Sequence, residues 1–254
     1  MIKACLNGDR TRGQHPHVPQ TPDELARAAA DAVAAGASMV HVHPRDDSGS
    51  ETLEARHVVE VVGAIKAATP GLRVSVSTRD GIVASARHKL SHVSDWPSPQ
   101  LGGPDCASVN WHEEGAVEIA TALHDKGIGV EAGIWTPEAA TRFVGTGWPG
   151  QVERVLVEVI PGATPGSDGP LAAERVLAAL GRSTAPVLVH GEEQWAWTVL
   201  RWAQAAGHDL RIGLEDVCHL PDGREARDSA ELVAATVRTE PHAPSPRPVG
   251  DASG

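Results

Sequence analysis

Residues 35–43, Ala35-Gly36-Ala37-Ser38-Met39-Val40-His41-Val42-His43, carry the plan of the chain in one stretch. A helix ends at a glycine, a two-residue link follows, and a β-branched run begins. Upstream, Thr21-Pro22-Asp23-Glu24 opens the helix with an N-cap hydroxyl, proline at the first helical position and acids in the first turn. The helix is predicted over 22–35 and the next over 53–68. Gly36, Gly71, Gly127 and Gly207 each stand between a helical stretch and the next strand, where a left-handed cap needs no Cβ. The unit recurs along the chain. Strands are predicted at 2–6, 39–43, 72–77, 106–109, 129–132, 155–159, 187–190 and 210–214. Helical spacing occupies 22–35, 53–68, 82–93, 115–126, 137–145, 171–180, 192–206 and 226–237. Eight strands alternating with eight helices predict an α/β fold with a parallel sheet, and ~250 residues is the usual size of a single (β/α)8 TIM barrel. Residues 1–240 are assigned to that barrel. Residues 241–254, rich in Pro, Ser and Gly, are expected to form a flexible or loosely draped tail.

Composition narrows the function. The 22 Lys plus Arg against 33 Asp plus Glu give a net charge of −11, the wrong sign for a nucleic-acid binder. Hydrophobic residues at 41% are enough for a sizeable core. No apolar run approaches the ~18 residues of a membrane span, and the N-terminus enters a strand without a signal-type apolar core. The three cysteines show no CxxC spacing, so a disulfide framework or thiolate zinc site is not expected, and a reducing cytoplasm is. There is no tyrosine, which excludes a tyrosine proton donor. Only Lys3, Lys66, Lys89 and Lys126 are lysines, leaving 22 − 4 = 18 arginines. Lys3 starts a strand and the others sit on helices. An imine-forming aldolase is therefore not expected, because no lysine stands at a strand's C-terminal end, where barrel enzymes keep their chemistry.

The residues at those ends do suggest chemistry. Side chains alternate along a strand, so His41 and His43 share a face at the end of the second strand, half of a metal site. The plain alternative is two buried histidines bonded to backbone. The last strand runs Arg211-Ile212-Gly213-Leu214-Glu215-Asp216, with Arg211, Gly213 and Glu215 expected on one face and Gly213 relieving bulk between arginine and carboxylate. Barrel closure puts this strand beside the first and one step from the second, within reach of the histidines. Two histidines and one carboxylate bind zinc with an open position, and the same set fits a ferrous facial triad. Ser75 and Ser77 share a face of the third strand. The fourth offers Ser108 and Asn110, the fifth Glu131, the seventh His190 with Glu192 and Glu193 after it. Arg10 and Arg12, after the first strand, could clamp a substrate carboxylate. Some of the tryptophans fall where they could wall a pocket, whereas Trp195, Trp197 and Trp202 suit helix packing.

Several motifs now stand in fixed order: Asn7-Gly8 with Arg10-Thr11, the run from His15 to Glu24, the HVHPRD hexapeptide at 41–46, Ser77-Thr78, Ala107-Ser108-Val109-Asn110, RIGLED at 211–216, and Ala230-Glu231-Leu232-Val233. In these motifs the chain resembles the β-keto acid cleavage enzymes, the 3-keto-5-aminohexanoate cleavage enzyme type. The resemblance spans about residues 2–235. It implies a usually oligomeric barrel (dimer or tetramer), with one Zn2+ per chain and acetyl-CoA as co-substrate, that turns a β-keto acid into acetoacetate and a new acyl-CoA through a retro-Claisen step. Carried onto this chain, His41, His43 and Glu215 would bind the metal, and Asp216 with Arg211 would take the acidic proton. Ser77, Thr78, Ser108, Asn110 and Glu131 would surround the substrate, and Arg10 would occupy a position that varies with substrate charge. The chain departs from the family pattern at Arg79-Asp80, where glycines are usual, at 110–114 and in the loop 161–170. The alternative functional reading is another metal-dependent barrel hydrolase or a metal-assisted aldolase.

Overall fold

The structure, a computed structural model, describes residues 1–166 and 168–238. The expected tail, 241–254, lies outside the described residues. Eight parallel strands close a barrel in chain order, the last pairing with the first. The strands are β1 (Ile2–Cys5), β2 (Met39–Val42), β3 (Arg73–Ser77), β4 (Cys106–Asn110), β5 (Gly129–Ile134), β6 (Arg154–Val159), β7 (Val187–Gly191) and β8 (Asp209–Ile212). Between and after them lie α1 (Pro22–Ala34), α2 (Ala55–Ala68), α3 (Ala86–Asp95), α4 (Ala116–Asp125), α5 (Pro137–Gly145), α6 (Gly169–Leu180), α7 (Ala196–Ala205) and α8 (Ser229–Arg238). This is the (β/α)8 TIM barrel the alternation predicts. Among the described residues no helix is long and apolar enough to cross a membrane.

Local chemistry fixes the ends of these elements. Thr21 and Glu24 form a reciprocal capping box at α1: the Thr21 hydroxyl accepts from the Glu24 amide (3.3 Å), and the Glu24 carboxylate accepts from the Thr21 amide (3.1 Å). Gly36, Gly71, Gly127 and Gly207 all have positive φ, as their places after helices require. Three helix starts differ from the sequence expectation by three residues or more. Helix α3 begins at Ala86 because the Ser85 hydroxyl caps the His88 amide (3.3 Å). Helix α7 is preceded by a 3-10 turn over Glu193–Trp195, where Glu193 takes a φ of 49° and its amide donates to the Asp216 carbonyl (2.8 Å). Helix α8 begins at Ser229, whose hydroxyl accepts from the Leu214 amide (3.1 Å).

The strands separate two buried environments. Val40, Val42, Val74, Val76, Val155 and Val157 are fully buried against the helices. The alternate positions fill the barrel, and their polarity rises toward the C-terminal face. Low in the barrel are apolar Met39, Leu156 and Leu188, with one ion pair among them: Lys3 Nζ lies 2.5 Å from Glu131 Oε1, both side chains fully buried. Above stand His41 in register with Ser75, Ser77 with Ser108, and Glu158 with His190.

Strand β8 corrects the expectation most. It stops at Ile212, not Leu214, because the Gly213 carbonyl accepts from the amides of Asp216 (2.9 Å) and Val217 (3.1 Å) and the chain turns. The role expected of Gly213 changes with it. A Cβ there would lie 1.8 Å from the Cys5 carbonyl oxygen, so the missing side chain makes room for the β1 backbone and not for Arg211.

Candidate active site

The two histidines of β2 and the turn after β8 meet at the C-terminal face. One ligand atom each from His41, His43 and Glu215 falls within 4.8 Å of the others. Both imidazoles are oriented by their Nδ1 atoms. That of His41 meets Ser75 Oγ at 2.9 Å, and that of His43 meets Glu51 Oε1 at 2.5 Å. Because Ser75 Oγ donates to Glu131 Oε2 (2.6 Å), it accepts from His41, so His41 carries its proton on Nδ1 and presents a bare Nε2. The His43 main chain is clamped separately: Asn7 accepts from the His43 amide (2.9 Å) and donates to its carbonyl (2.8 Å).

These residues fit a divalent cation. His43 Nε2 and Glu215 Oε2 are buried without a hydrogen-bond partner, and His43 Nε2 lies 3.4 Å from Glu215 Oε1. Two imidazoles and one carboxylate with their outer atoms engaged is a donor set with open coordination positions. Burial pushes His41 well below the usual imidazole range, favouring the neutral ring a metal needs. Burial acts the same way on His43, but Glu215 and Glu51 outweigh it and carry the imidazole up to about 9. A proton there offsets carboxylate charge that a bound cation would offset in its place. Close packing admits Glu215: a Cβ on Gly8, which has positive φ, would lie 2.4 Å from Glu215 Cγ.

Arg211 organises the acids beside this triad. Its guanidinium reaches Glu215 Oε1 (2.6 Å) and Asp216 Oδ1 (2.9 Å), and it lies 3.5 Å from Glu158 Oε2. Strand alternation would send neighbouring residues 215 and 216 to opposite faces. The turn at Gly213 is what lets both converge on one arginine. Asp216 is fully buried with Oδ2 unpartnered, and His190 Nδ1 lies 3.5 Å from its Oδ1. Burial raises the Asp216 carboxyl above its ordinary range, with Arg211 and His190 offsetting part of the rise. Such an acid, once ionised, is a stronger base than one in water.

A cavity of about 260 Å3 opens above these groups. His41, His43, Ser77, Ser108, Asn110, Arg211 and Glu215 line it, together with Asp9, Arg79, Trp135, Glu158, Ile160 and Glu192. Other residues singled out in the sequence lie elsewhere. Asp216 is beneath the cavity, on Arg211. The Thr78 hydroxyl donates to the Ser108 carbonyl (2.7 Å), tying β3 to β4. Glu131 lies deeper, between Lys3 and Ser75. Arg10 pairs with Glu193 at the rim. Asn110 donates through Nδ2 to Glu113 Oε1 (2.7 Å), so its Oδ1 is the atom left toward the cavity. Glu113 is held in turn by buried Lys89 (2.5 Å).

Among the cavity residues, Asp9, Glu158 and Ile160 escaped the sequence reading, as did Glu51 beside His43. Glu158 had a signal, being the lone acid among the valines of β6 and therefore inward-facing by alternation. Trp135 and Glu192, a candidate pocket wall and a strand-end acid in the sequence, follow the ends of β5 and β7 directly. Asp9 and Glu51, the latter orienting His43, sit in polar loops where nothing in the sequence marks them.

A barrel whose C-terminal face gathers three side chains able to hold a metal beside an arginine-held acid has the architecture of a (β/α)8 enzyme. The chain belongs to the beta-keto acid cleavage enzyme family, whose model matches residues 1–243. It is 25% identical over 253 residues to the 3-keto-5-aminohexanoate cleavage enzyme of Acetoanaerobium sticklandii, covering 94% of this chain and 90% of that one. The enzyme of the same name from Fusobacterium nucleatum is 26% identical over 254 residues, with the same coverage of 94% and 90%. Among solved structures, ObcA in a binary complex with oxaloacetate superposes with a TM-score of 0.64 at 15% identity, over 86% of this chain and 62% of that one. ObcA in a ternary complex with a C4-CoA adduct and oxalate gives 0.64 at 16% identity, again over 86% and 62%. The chain thus spans about three-fifths of the ObcA chains, and that likeness is one of fold.

Proposed function

We propose that this chain transfers the acyl group of a β-keto acid to coenzyme A. The substrates are the keto acid and acetyl-CoA, and the products are acetoacetate and the new acyl-CoA. The atoms balance without an oxidant or water: R–CO–CH2–COO− and CH3–CO–SCoA exchange their acyl groups on one CH2–COO− unit. The observation that carries the reading is the convergence of His41, His43, Glu215 and Asp216 under one cavity, with Arg211 joining the two acids. His41, His43 and Glu215 would hold one Zn2+. When bound, that ion polarises a β-keto carbonyl and lowers the cost of the enolate. The remaining work falls to the protein. Asp216, fully buried beneath the cavity, is the final acceptor of the proton from the carbon between the two carbonyl groups: the cavity-lining Arg211 hands it a proton and takes the substrate's in return, because an arginine does not stay deprotonated at working pH. Arg211 fixes the Asp216 carboxylate through Nε (3.0 Å) and Nη2 (2.9 Å) and keeps its charge compensated. Ser77, Ser108 and the Asn110 carbonyl oxygen offer hydrogen bonds along the cavity wall, and Trp135 and Ile160 supply apolar surface. Thr78 and Glu131 act from behind, by tying β3 to β4 and by holding Ser75 against His41.

The test joins metal analysis to a panel of β-keto acids with and without acetyl-CoA. One zinc per chain and keto-acid loss only with acetyl-CoA are expected. Glu215→Gln should lose zinc affinity by more than the ~10–100-fold typical of residues that merely support a ligand. Asp216→Asn should keep the metal and lose about 10²–10⁴ in turnover. Turnover without acetyl-CoA would point instead to a metal-assisted aldolase or hydrolase. A protein that takes up no zinc and turns over no keto acid would sink the reading.

A further inference from the structure

The loop after β2 folds back on itself. Arg45 and Glu51 form an antiparallel bridge, the Asp46 amide donates to the Ser50 carbonyl (2.8 Å), and the Thr52 amide donates to the Pro44 carbonyl (3.0 Å). The fold-back sets Glu51 beside His43, eight residues earlier, with its Oε1 2.5 Å from His43 Nδ1. Arg79, just past β3, takes the same carboxylate from the other side, through Nε to Oε1 (3.2 Å) and Nη2 to Oε2. The Glu51 side chain is only 12% exposed, so its charge is sheltered and Arg79 supplies the compensation. The two histidines are therefore held unequally: His41 by a neutral hydroxyl, His43 by an ionised carboxylate that is itself held by a fixed cation. Asn7 already secures the His43 main chain, so ring rotation is the freedom that remains, and Glu51 removes it.

We propose that Glu51, gripped by Arg79, is a positioning residue for the metal centre: it sets the plane and tautomer of His43 and thereby the affinity for the cation. The inference rests on the reading of His43 as a ligand. A carboxylate on the far nitrogen directs the other ring nitrogen to the metal and raises its donor strength. Toward the metal centre Arg79 acts through Glu51, although it also lies 3.3 Å from Asp9 Oδ2. Its planar fork holds both oxygens, which a lysine ammonium cannot reproduce.

The experiment measures zinc affinity by chelator competition, and the visible spectrum of the cobalt-substituted full chain. The proteins are wild type, Glu51→Gln, Glu51→Ala, Arg79→Ala, Arg79→Lys and the Glu51→Ala/Arg79→Ala double variant. Glu51→Ala should weaken zinc by about 10–100-fold and shift the cobalt bands. Glu51→Gln, which keeps shape and an acceptor oxygen, should fall between it and wild type; it carries the test if the alanine variant does not fold. Arg79→Ala should weaken zinc in the wild-type background and cost nothing more alongside Glu51→Ala, and Arg79→Lys should recover only part. Tight zinc in wild type with unchanged affinity and bands in both Glu51 variants overturns the inference alone. An Arg79→Ala loss equal in both backgrounds overturns the relay from Arg79. A wild-type chain that binds neither zinc nor cobalt overturns the ligand reading and the inference together.

Discussion

Glu192 stands in the cavity wall within electrostatic reach of Asp216, Glu158 and Glu215. Burial, with Asp216 next, pushes its carboxyl up from 4.5 to about 8, although Arg211 pulls the other way. At neutral pH this places a protonated acid facing the cavity, near Glu158 and Glu215, whose carboxyls are held below the ordinary range. The sign of its effect on stability follows from linkage. The folded protein keeps a proton that the unfolded chain releases above about 4.5, so this group's effect is least adverse below 4.5 and becomes more so as pH rises to about 8. Glu192→Gln stays neutral throughout. In the metal-free protein its melting temperature should match wild type near pH 4 and exceed it at pH 8; a difference independent of pH would refute the assignment. At this scale the sequence was informative where one residue's periodicity was enough. His41 and His43 share a face because strands alternate. Glu51 and Asp9 were illegible, since their importance comes from a loop fold-back and from contacts with Arg79 and His43.

Among the elements, the end of β8 decides the site. Its early stop at Ile212 and the turn at Gly213 turn two adjacent acids toward Arg211, so that Glu215 comes within reach of His41 and His43 while Asp216 is buried beneath it. Gly213→Ala tests this directly. The new Cβ would fall 1.8 Å from the Cys5 carbonyl oxygen, and backbone cannot step aside as a flexible side chain can. Separating β1 from β8 should cost about 1–3 kcal/mol or more in denaturant unfolding and weaken zinc binding with it. Unchanged stability and affinity would mean that the strand ends tolerate separation. The sequence expectation placed Glu215 inward by carrying the strand pattern two residues too far. The inward direction was right and its cause was different: a glycine whose neighbour is another strand's backbone cannot be distinguished, in sequence, from one that spares a side chain.

Across the whole molecule, the barrel interior couples its floor to its chemistry. Lys3 holds Glu131, Glu131 accepts from Ser75, and Ser75 accepts a hydrogen bond from His41, a chain of charge and hydrogen bonds from β1 to the candidate metal triad. Breaking a buried pair on one side is more damaging than removing both partners. Lys3→Met should cost about 3–5 kcal/mol of unfolding free energy, and the Lys3→Met/Glu131→Leu double variant should recover most of it. The double variant should still weaken zinc, because Ser75 loses its acceptor. Additive losses in the double variant would show that the two residues are not energetically paired.

By itself the sequence determined the number and order of the elements, the barrel they close, and the face on which His41 and His43 stand. Those features follow from residue periodicity, capping groups and glycines at helix ends, all of which act over a few neighbouring residues. Tertiary structure decided what each acid meets there, and it alone brought Glu51 and Glu158 to a site that the sequence had marked with Glu215. Glu51, Glu158, Glu192, Glu215 and Asp216 come from four different loops and strands, and their protonation depends on burial and on distances to Arg79, Arg211 and the histidines. Such distances exist only once the barrel closes and brings β8 back beside β1.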